Sequence, residues 1–417
     1  MAKRRVVITG LGTVNPLAQS VKEFWPALLA GRSGIARIVK FDCAEYDSAI
    51  GGEVKNWDGP PESFVDKREV KRLDPFAQFA ITAAIEAVAD SGLDFTKEDV
   101  CRCGVVIGSG IGGLQEMESQ HLRLIEKGPS KVSAFTVPKL MVNAASGNVS
   151  ILWGLRGPNS ATATACASAG HAMGEGLRCI QRDEADVIIS GGSEAALTRL
   201  GLSSFCALRG LSTRNDDPEH ASRPWDKDRD GFVLSEGAGV VILEELEHAK
   251  ARGAKIYCEM IGFGSSADGS HITAPDPNGA GAALAMQRAL KDASMAPEQV
   301  EYINAHGTST VLGDLAETRA VKTIFGHYAR HGLMISSTKS SVGHMLGASG
   351  GVEMVVVSLS ILNDVITPTV NLYEPGEECD LDYVPLTPRD RRFNVAMSNS
   401  FGFGGHNVSL IVQRFVG

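Results

Sequence analysis

The chain has no uninterrupted apolar run of the roughly 18 residues that a membrane-spanning helix needs, so no membrane partner is expected. No leader is expected either. MAKRRVVITGLG passes from basic residues straight into a strand and a glycine turn, without an apolar h-region or a cleavage site. An untargeted, cytoplasmic chain is the expectation. Positive charge is in short supply, with a formal net charge of −9 over 417 residues. Phosphate binding needs concentrated basic charge, which argues against nucleic acid as a general partner. The eight cysteines contain no CxxC pair, and no group of cysteine and histidine has zinc-ligand spacing. Free, mostly buried thiols are expected rather than a disulfide frame. There is little low-complexity sequence, and 43% apolar residues describe a globular chain long enough to bury a sizeable core.

What the chain does have is a pattern that occurs twice. AAIEAVADSGLDFTKEDVCRCGVVIGSG and AMQRALKDASMAPEQVEYINAHGTS are each an alanine-rich helix with an aspartate near its end, Asp90 and Asp292, then a capped turn and a strand entering a glycine loop. NSATATACASAGHAMGEGL and ISSTKSSVGHMLGASGGVE are each a small-residue segment leading into a helix. ADVIISGGSEA and FNVAMSNSFGFGG are each a short strand ending in glycines. Three matches in one order indicate duplication. Strands alternating with helices imply an α/β fold, with runs such as VVIGSG and DVIISGG as buried strands. The junction falls near residue 255, between a helix ending in EELEHAKARGAK and the strand IYCEMIGFG, with no proline- or serine-rich linker. The halves, 1–255 and 256–417, are expected to share one layered sandwich. Their loops would meet at the carboxyl ends of the strands, where open α/β sheets place ligands.

Two motifs imitate well-known sites. GSGIGG at 108–113 satisfies GxGxxG after the strand VVI, but the following segment leads to KGPSKVSAFTVPKL rather than to a second apolar strand with a ribose-binding acid. A dinucleotide site is not expected. DKDRDG at 226–231 opens like a calcium loop, yet the twelfth position is Gly237 and Glu236 is one residue short. A charged surface turn is the simpler reading.

Three other places resemble one another: Cys166 in TACASAG, His306 in NAHGTST and His344 in TKSSVGHMLGASG. Each lies where a strand or loop gives way to glycine or to a helix. A helix N-terminus turns unpaired N–H groups and positive partial charge on its first turn, which lowers a cysteine pKa and holds an oxyanion. Cys166 is thus either a nucleophile or a small core residue, the reading given to Cys43, Cys179, Cys206, Cys258 and Cys379. The duplication favours the former, because Cys166 and His344 begin equivalent helices and would face each other across one cleft.

At this point the sequence resembles a known family, the β-ketoacyl-acyl carrier protein synthases of the thiolase-like fold, the type II elongating group most of all. The likeness runs through RRVVITGLGTVNP, GLRGPNSATATACASAG, RPWDKDRDGFVLSEGAG, NAHGTST, STKSSVGHMLGASG and NSFGFGGHN, in family order. It implies a duplicated αβαβα sandwich, with the nucleophilic cysteine in the first half and both catalytic histidines in the second. It also implies decarboxylative Claisen condensation of an enzyme-bound acyl group with malonyl-acyl carrier protein, giving 3-oxoacyl-acyl carrier protein and CO2. By this resemblance Cys166 carries the acyl chain, and its backbone N–H and that of Phe403 form the oxyanion hole. His306 and His344 donate to the enolate oxygen, and Lys339 orients and tunes them.

Thr308 and Thr310 match contacts to the pantetheine arm, or else merely cap a turn. Ile111 matches the far end of the acyl pocket, or else packs the core. Arg68, Lys71 and Arg72 match carrier-protein contacts, or else form a solvated helix face. His406 stands where many members have threonine, and no catalytic role is assigned to it. Asn304, Glu353 and Asn399 match positions around a structural cation of the fold, but such common residues identify no metal. None is assigned, and no cofactor is implied. The family further suggests a homodimer built across the strand SATATA. A stand-alone polyketide ketosynthase and a noncatalytic chain-length partner of the same fold are the competing readings. Retention of Cys166 counts against the second of these.

Overall fold

The computed structural model describes residues 3–417. Ten strands form its main sheet: β1 (Val6–Val14), β2 (Cys103–Gly108), β3 (Asn159–Ser160), β4 (Val187–Glu194), β5 (Gly237–Glu245), β6 (Cys258–Ala267), β7 (Tyr302–Asn304), β8 (Met334–Ser336), β9 (Val395–Gly402) and β10 (His406–Gln413). Their order is β8-β7-β9-β10-β6-β1-β5-β4-β2-β3. The first five in space all follow residue 257, and the last five all precede residue 246. Counted in chain order within its own half, each set reads 3-2-4-5-1, with two parallel and then two antiparallel pairings from the outer edge inward. The duplication visible in the sequence is therefore a duplication of topology. The halves join through an antiparallel pairing of β1 with β6.

Helices complete the layers. They are α1 (Pro75–Ser91), α2 (Leu114–Lys127), α3 (Ala144–Trp153), α4 (Ser168–Gln181), α5 (Ala280–Ala293), α6 (Val311–Phe325) and α7 (Ser349–Asn363). α1 and α3 cover the outer face of the first half, α5 and α6 that of the second, and α4 and α7 lie between the two. This is an α-β-α-β-α sandwich. Strands covered on both faces read as near-continuous apolar runs rather than alternating, and β2 and β4 are buried at every position, Ser190, Ser193 and Glu194 of β4 included. The same reasoning explains α7, whose residues are apolar nearly all round because both neighbours are sheets. Among the described residues, the stretch Leu346–Asn363 is the one with the length and apolarity to cross a membrane, and it is 89% buried inside the fold.

The aspartates that marked the repeat have matching tasks. Asp90 accepts the backbone N–H of Leu11 in β1 at 2.9 Å, and Asp292 accepts that of Phe263 in β6 at 3.0 Å. Each ties the end of an outer helix to the innermost strand of its half. The DKDRDG segment departs from the expected surface turn. Asp226 and Arg229 are buried; Asp226 accepts the N–H groups of Tyr373, Glu374 and Asp228, and Arg229 lies 3.5 Å from the buried Asp314. Lys227, Asp228 and Asp230 alone face solvent. A motif that looks like a cation loop is thus an internal brace.

Candidate active site

Cys166 sits in a single 3-10 turn, Ala165–Ala167, immediately ahead of α4. Ala165 takes φ +50°, a left-handed conformation that costs a non-glycine residue of order 1 kcal/mol or more and needs support from its surroundings. The small polar residues around it supply that support. Thr164 donates its N–H to Ser168 Oγ at 2.9 Å, Ser168 Oγ donates to Ala165 O at 2.7 Å, and Thr162 Oγ1 donates to Ser168 O at 2.7 Å. The threonines of TATACASAG are therefore structural ties for the strained turn. The second half repeats the device: Leu346 has φ +44° in the turn Leu346–Ala348 ahead of α7. The residue following the strained position there is Gly347, so the counterpart of Cys166 is Gly347 and not His344.

His344 precedes that second turn and reaches back across the cleft. Its Nε2 stands 3.0 Å from the Cys166 sulfur, and its Nδ1 stands 3.0 Å from Ser349 Oγ at the start of α7. His306 lies beside it, with ring centroids 5.3 Å apart at an interplanar angle of 84°. His306 Nδ1 is buried without a hydrogen-bond partner. Burial holds both imidazoles well below the ordinary histidine range, helped by the positive charge of Lys339 and, for His306, by the other ring. Two neutral imidazoles result. Lys339 is itself buried and bonds Glu353. Asn304 Oδ1 and Glu353 Oε2 are buried with no partner, and the Lys339 ammonium supplies positive charge at Glu353.

The cysteine does not behave as a helix N-terminus alone would predict. Burial pushes its thiol up to about 12, although Lys339 and the N–H groups of Phe403 and Cys166 itself favour the thiolate. The charge of Glu194 acts the other way. Desolvation outweighs the dipole here, and the resting group is a thiol. Those two N–H groups nonetheless point at one spot. Gly402, the residue before Phe403, runs so close to the nucleophile turn that a Cβ would meet Thr164 O at 2.7 Å and Cys166 N at 3.0 Å. Only glycine lets the loop approach.

Cys166, His306 and His344 open into one cavity of about 560 Å³. Ile111, Thr308, Thr310 and Phe403 line the same space. Ile111 and Phe403 are each 37% exposed, so neither is a core residue. Thr310 also caps α6, accepting from Gly313 N, and its hydroxyl lies 2.9 Å from that of Thr308; capping and facing the cavity are compatible. Arg68, Lys71 and Arg72 are exposed. The helix they were expected to share spans only Lys67–Val70, capped by Asp66, so Lys71 and Arg72 lie beyond its end. Arg72 pairs with Glu69 at 2.6 Å and covers the ring of Phe135. Cys43, Cys179, Cys258 and Cys379 are buried and Cys206 is half-buried, as structural thiols should be.

Two positioning acids escaped the sequence reading. Glu317 in α6 accepts the N–H groups of His306 and Gly307 and the Asn399 amide. Glu194, at the end of β4, accepts from Ser109 Oγ and from the backbones of Gly110, Ile111 and Gly347. The glycine loop that imitates a phosphate cradle therefore does hold an anion, the protein's own carboxylate. The available signal was an acid interrupting a buried strand or facing into a packed helix layer, where charge is retained only with dedicated partners.

Comparison with known proteins supplies an independent line. Residues 3–249 match the β-ketoacyl synthase N-terminal domain and residues 257–373 the β-ketoacyl synthase C-terminal domain. The chain is 50% identical, over 99% of its length and all of the relative's, to a protein of Vibrio cholerae named 3-oxoacyl-[acyl-carrier-protein] synthase 2. It is 49% identical, over 100% of its length and 99% of the relative's, to a Synechocystis protein of the same name. Among solved structures it is similar to the ketosynthase of a type II polyketide system bound to its acyl-carrier protein, with TM-score 0.92 and 34% identity over both full chains.

Proposed function

The chain belongs to the β-ketoacyl synthase family, and from that membership we propose the following account of what it does and how. It is a 3-oxoacyl-acyl carrier protein synthase of the second type, a condensing acyltransferase of fatty-acid chain elongation. The observation that carries the reading is the meeting of Cys166 and His344 at 3.0 Å, with His306 alongside, in one cavity built by both halves.

In the first step the Cys166 sulfur attacks the acyl thioester. The new carbon–sulfur bond replaces the bond to the carrier, and the cysteine's proton ends on the departing carrier thiol. The tetrahedral oxygen is held by the N–H groups of Cys166 and Phe403. In the second step the bond between the malonyl carboxylate and its α-carbon breaks, CO2 leaves, and the electron pair remains as a thioester enolate. Ser349 Oγ donates into His344 Nδ1, leaving Nε2 as the nitrogen that carries the proton. His344 and His306, both neutral, then donate to the enolate oxygen without being able to quench the carbanion as strong acids would. The enolate carbon attacks the acyl-cysteine carbonyl, and the sulfur leaves as a thiolate that takes a proton from solvent. Lys339 and Glu353 support the histidine pair electrostatically.

Acyl carrier protein is the partner that delivers both substrates, and the exposed Arg68, Lys71 and Arg72 are its contact charges. Thr308 and Thr310 take the pantetheine arm, and Ile111 bounds the acyl chain. The halves 1–255 and 256–417 act as one catalytic unit, located in the cytoplasm. The protein pairs as a homodimer. The edge strand β3 is exposed and open on one side, and the neighbouring elements expose Leu122, Ile125, Val137 and Ile151. Closed twofold pairing is the common way to cover such an edge, and sedimentation at micromolar concentration checks it. The decisive test of function incubates the purified protein with malonyl-carrier protein and acyl-carrier proteins of graded length. Products two carbons longer, identified by mass, are expected. Polyketide products would favour the ketosynthase reading, and no product at all the noncatalytic one.

A further inference from the structure

Glu194 is a fully buried carboxylate with every lone pair engaged. Oε1 accepts from Ser109 Oγ at 2.9 Å and from Ile111 N at 3.2 Å, while Oε2 accepts from Gly110 N at 2.7 Å and from Gly347 N at 3.1 Å. Two segments bond this one side chain, and a third packs against the first of them. The first is the loop that carries Ile111 into the cavity. The second is the strained turn after His344, to which Gly347 belongs. The third is the nucleophile turn, since a Cβ on Gly110 would meet Glu194 Oε2 at 2.9 Å and Ala165 O at 3.3 Å. Packing around the carboxylate leaves no slack: a Cβ on Gly347 would meet Gly110 N at 2.4 Å and Glu194 Oε2 at 2.8 Å.

The direction of these bonds matters. Ile111 is exposed into the cavity, whereas the carboxylate that holds its N–H is wholly buried in the sheet. The bonds hold the loop's backbone against the sheet, so the cavity is left to the isoleucine side chain. Ser109 reinforces the arrangement, accepting Gly112 N at 3.1 Å with the hydroxyl that donates to Glu194.

Taking the condensing reading as its basis, we propose that Glu194 is a positioning residue for acyl-chain length. It acts through the Ile111 loop to keep the deep part of the cavity open. A short acyl chain ends before this loop and is indifferent to it. A long chain must pass Ile111, so it depends on the loop's position.

The test measures Cys166 acylation by intact-protein mass with hexanoyl- and palmitoyl-carrier protein, in wild type, Glu194→Gln and Ser109→Ala. Glu194→Gln keeps the shape but puts an NH2 group against at least one loop N–H in either orientation, that of Ile111 or that of Gly110, which drives the loop off. The palmitoyl-to-hexanoyl rate ratio is expected to fall at least about tenfold in Glu194→Gln, and in the same direction but less in Ser109→Ala. A purely structural role would lower both rates alike. An unchanged ratio in a folded Glu194→Gln overturns the proposal. Should that variant not fold, an unchanged ratio in Ser109→Ala overturns it equally. Wild type that takes neither acyl group would instead overturn the condensing reading, and this proposal with it.

Discussion

His344 Nε2 lies 3.0 Å from the Cys166 sulfur, and burial holds the histidine neutral and the cysteine protonated. The pair therefore does not rest as an imidazolium and a thiolate. A thiol raised to about 12 loses its proton progressively as pH rises, roughly tenfold more thiolate for each pH unit below that value. Alkylation of Cys166 by iodoacetamide, followed by mass spectrometry, should keep climbing from pH 7 through pH 9. A plateau below pH 8 would mean a resting thiolate and would reverse the assignment.

The histidines serve the enolate more than the acyl transfer. His306→Ala and His344→Ala are each expected to slow malonyl decarboxylation by about a hundredfold, the usual cost of one lost oxyanion donor. Acylation of Cys166 should suffer less. CO2 release from malonyl-carrier protein measures the first and intact mass the second. Rapid CO2 release by either variant would remove the proposed role.

Much of this site was legible because its residues stand out from their surroundings. Cys166, His306 and His344 sit among small residues and glycines that have no other use for them. The duplicated order of strands was legible too, since Asp90 and Asp292 recur at matching places and do matching work. What was hidden depends on distant partners. The GSGIGG loop looks like an anion cradle, but its anion lies 83 residues beyond Ile111 in the chain. DKDRDG looks like a surface turn, but Tyr373, Glu374 and Asp314 draw it inward. A helix N-terminus suggested a lowered cysteine pKa, and only the depth of burial shows desolvation prevailing.

Stability has its own titration, away from the cavity. His248 bonds Glu244 and Glu98, which raise its pKa from 6.5 to about 9. A histidine whose folded value is raised contributes fully below its unfolded value, and the contribution is lost as pH rises through the folded one. His248→Gln should therefore cost about 2 kcal/mol in urea unfolding at pH 6, allowing for partial exposure. The difference should vanish by pH 10. An equal deficit at both values would show that lost packing, rather than charge, is responsible.

Carrier recognition predicts a split between substrates. Arg68, Lys71 and Arg72 are exposed, and Glu69 already engages Arg72, so the free charges are those available for steering an acidic partner. Replacing all three with glutamate should raise KM for acyl-carrier protein several-fold at low salt, with the effect fading as salt screens it. A small thioester mimic should react as before. Equal losses on both substrates would point to misfolding.

Chain length offers the sharpest check on the cavity. Ile111 projects into the space that holds Cys166, is 37% exposed there, and is fixed from behind through its own N–H to Glu194. A branched aliphatic side chain can change rotamer to admit or exclude an acyl tail, whereas a phenylalanine at this position would occupy the depth permanently. Each methylene buried in the tunnel stabilises the bound chain by about 0.8 kcal/mol. Closing the far end therefore removes several such contributions from a long chain and almost none from a short one. Ile111→Phe is expected to accept acyl groups of up to about six carbons, a limit set by that size argument, and to reject the long ones that wild type elongates. Acyl-carrier proteins of graded length, assayed for acylation and for condensation, give the profile. A variant that remains active uniformly across chain lengths would show that the depth of this pocket is set elsewhere.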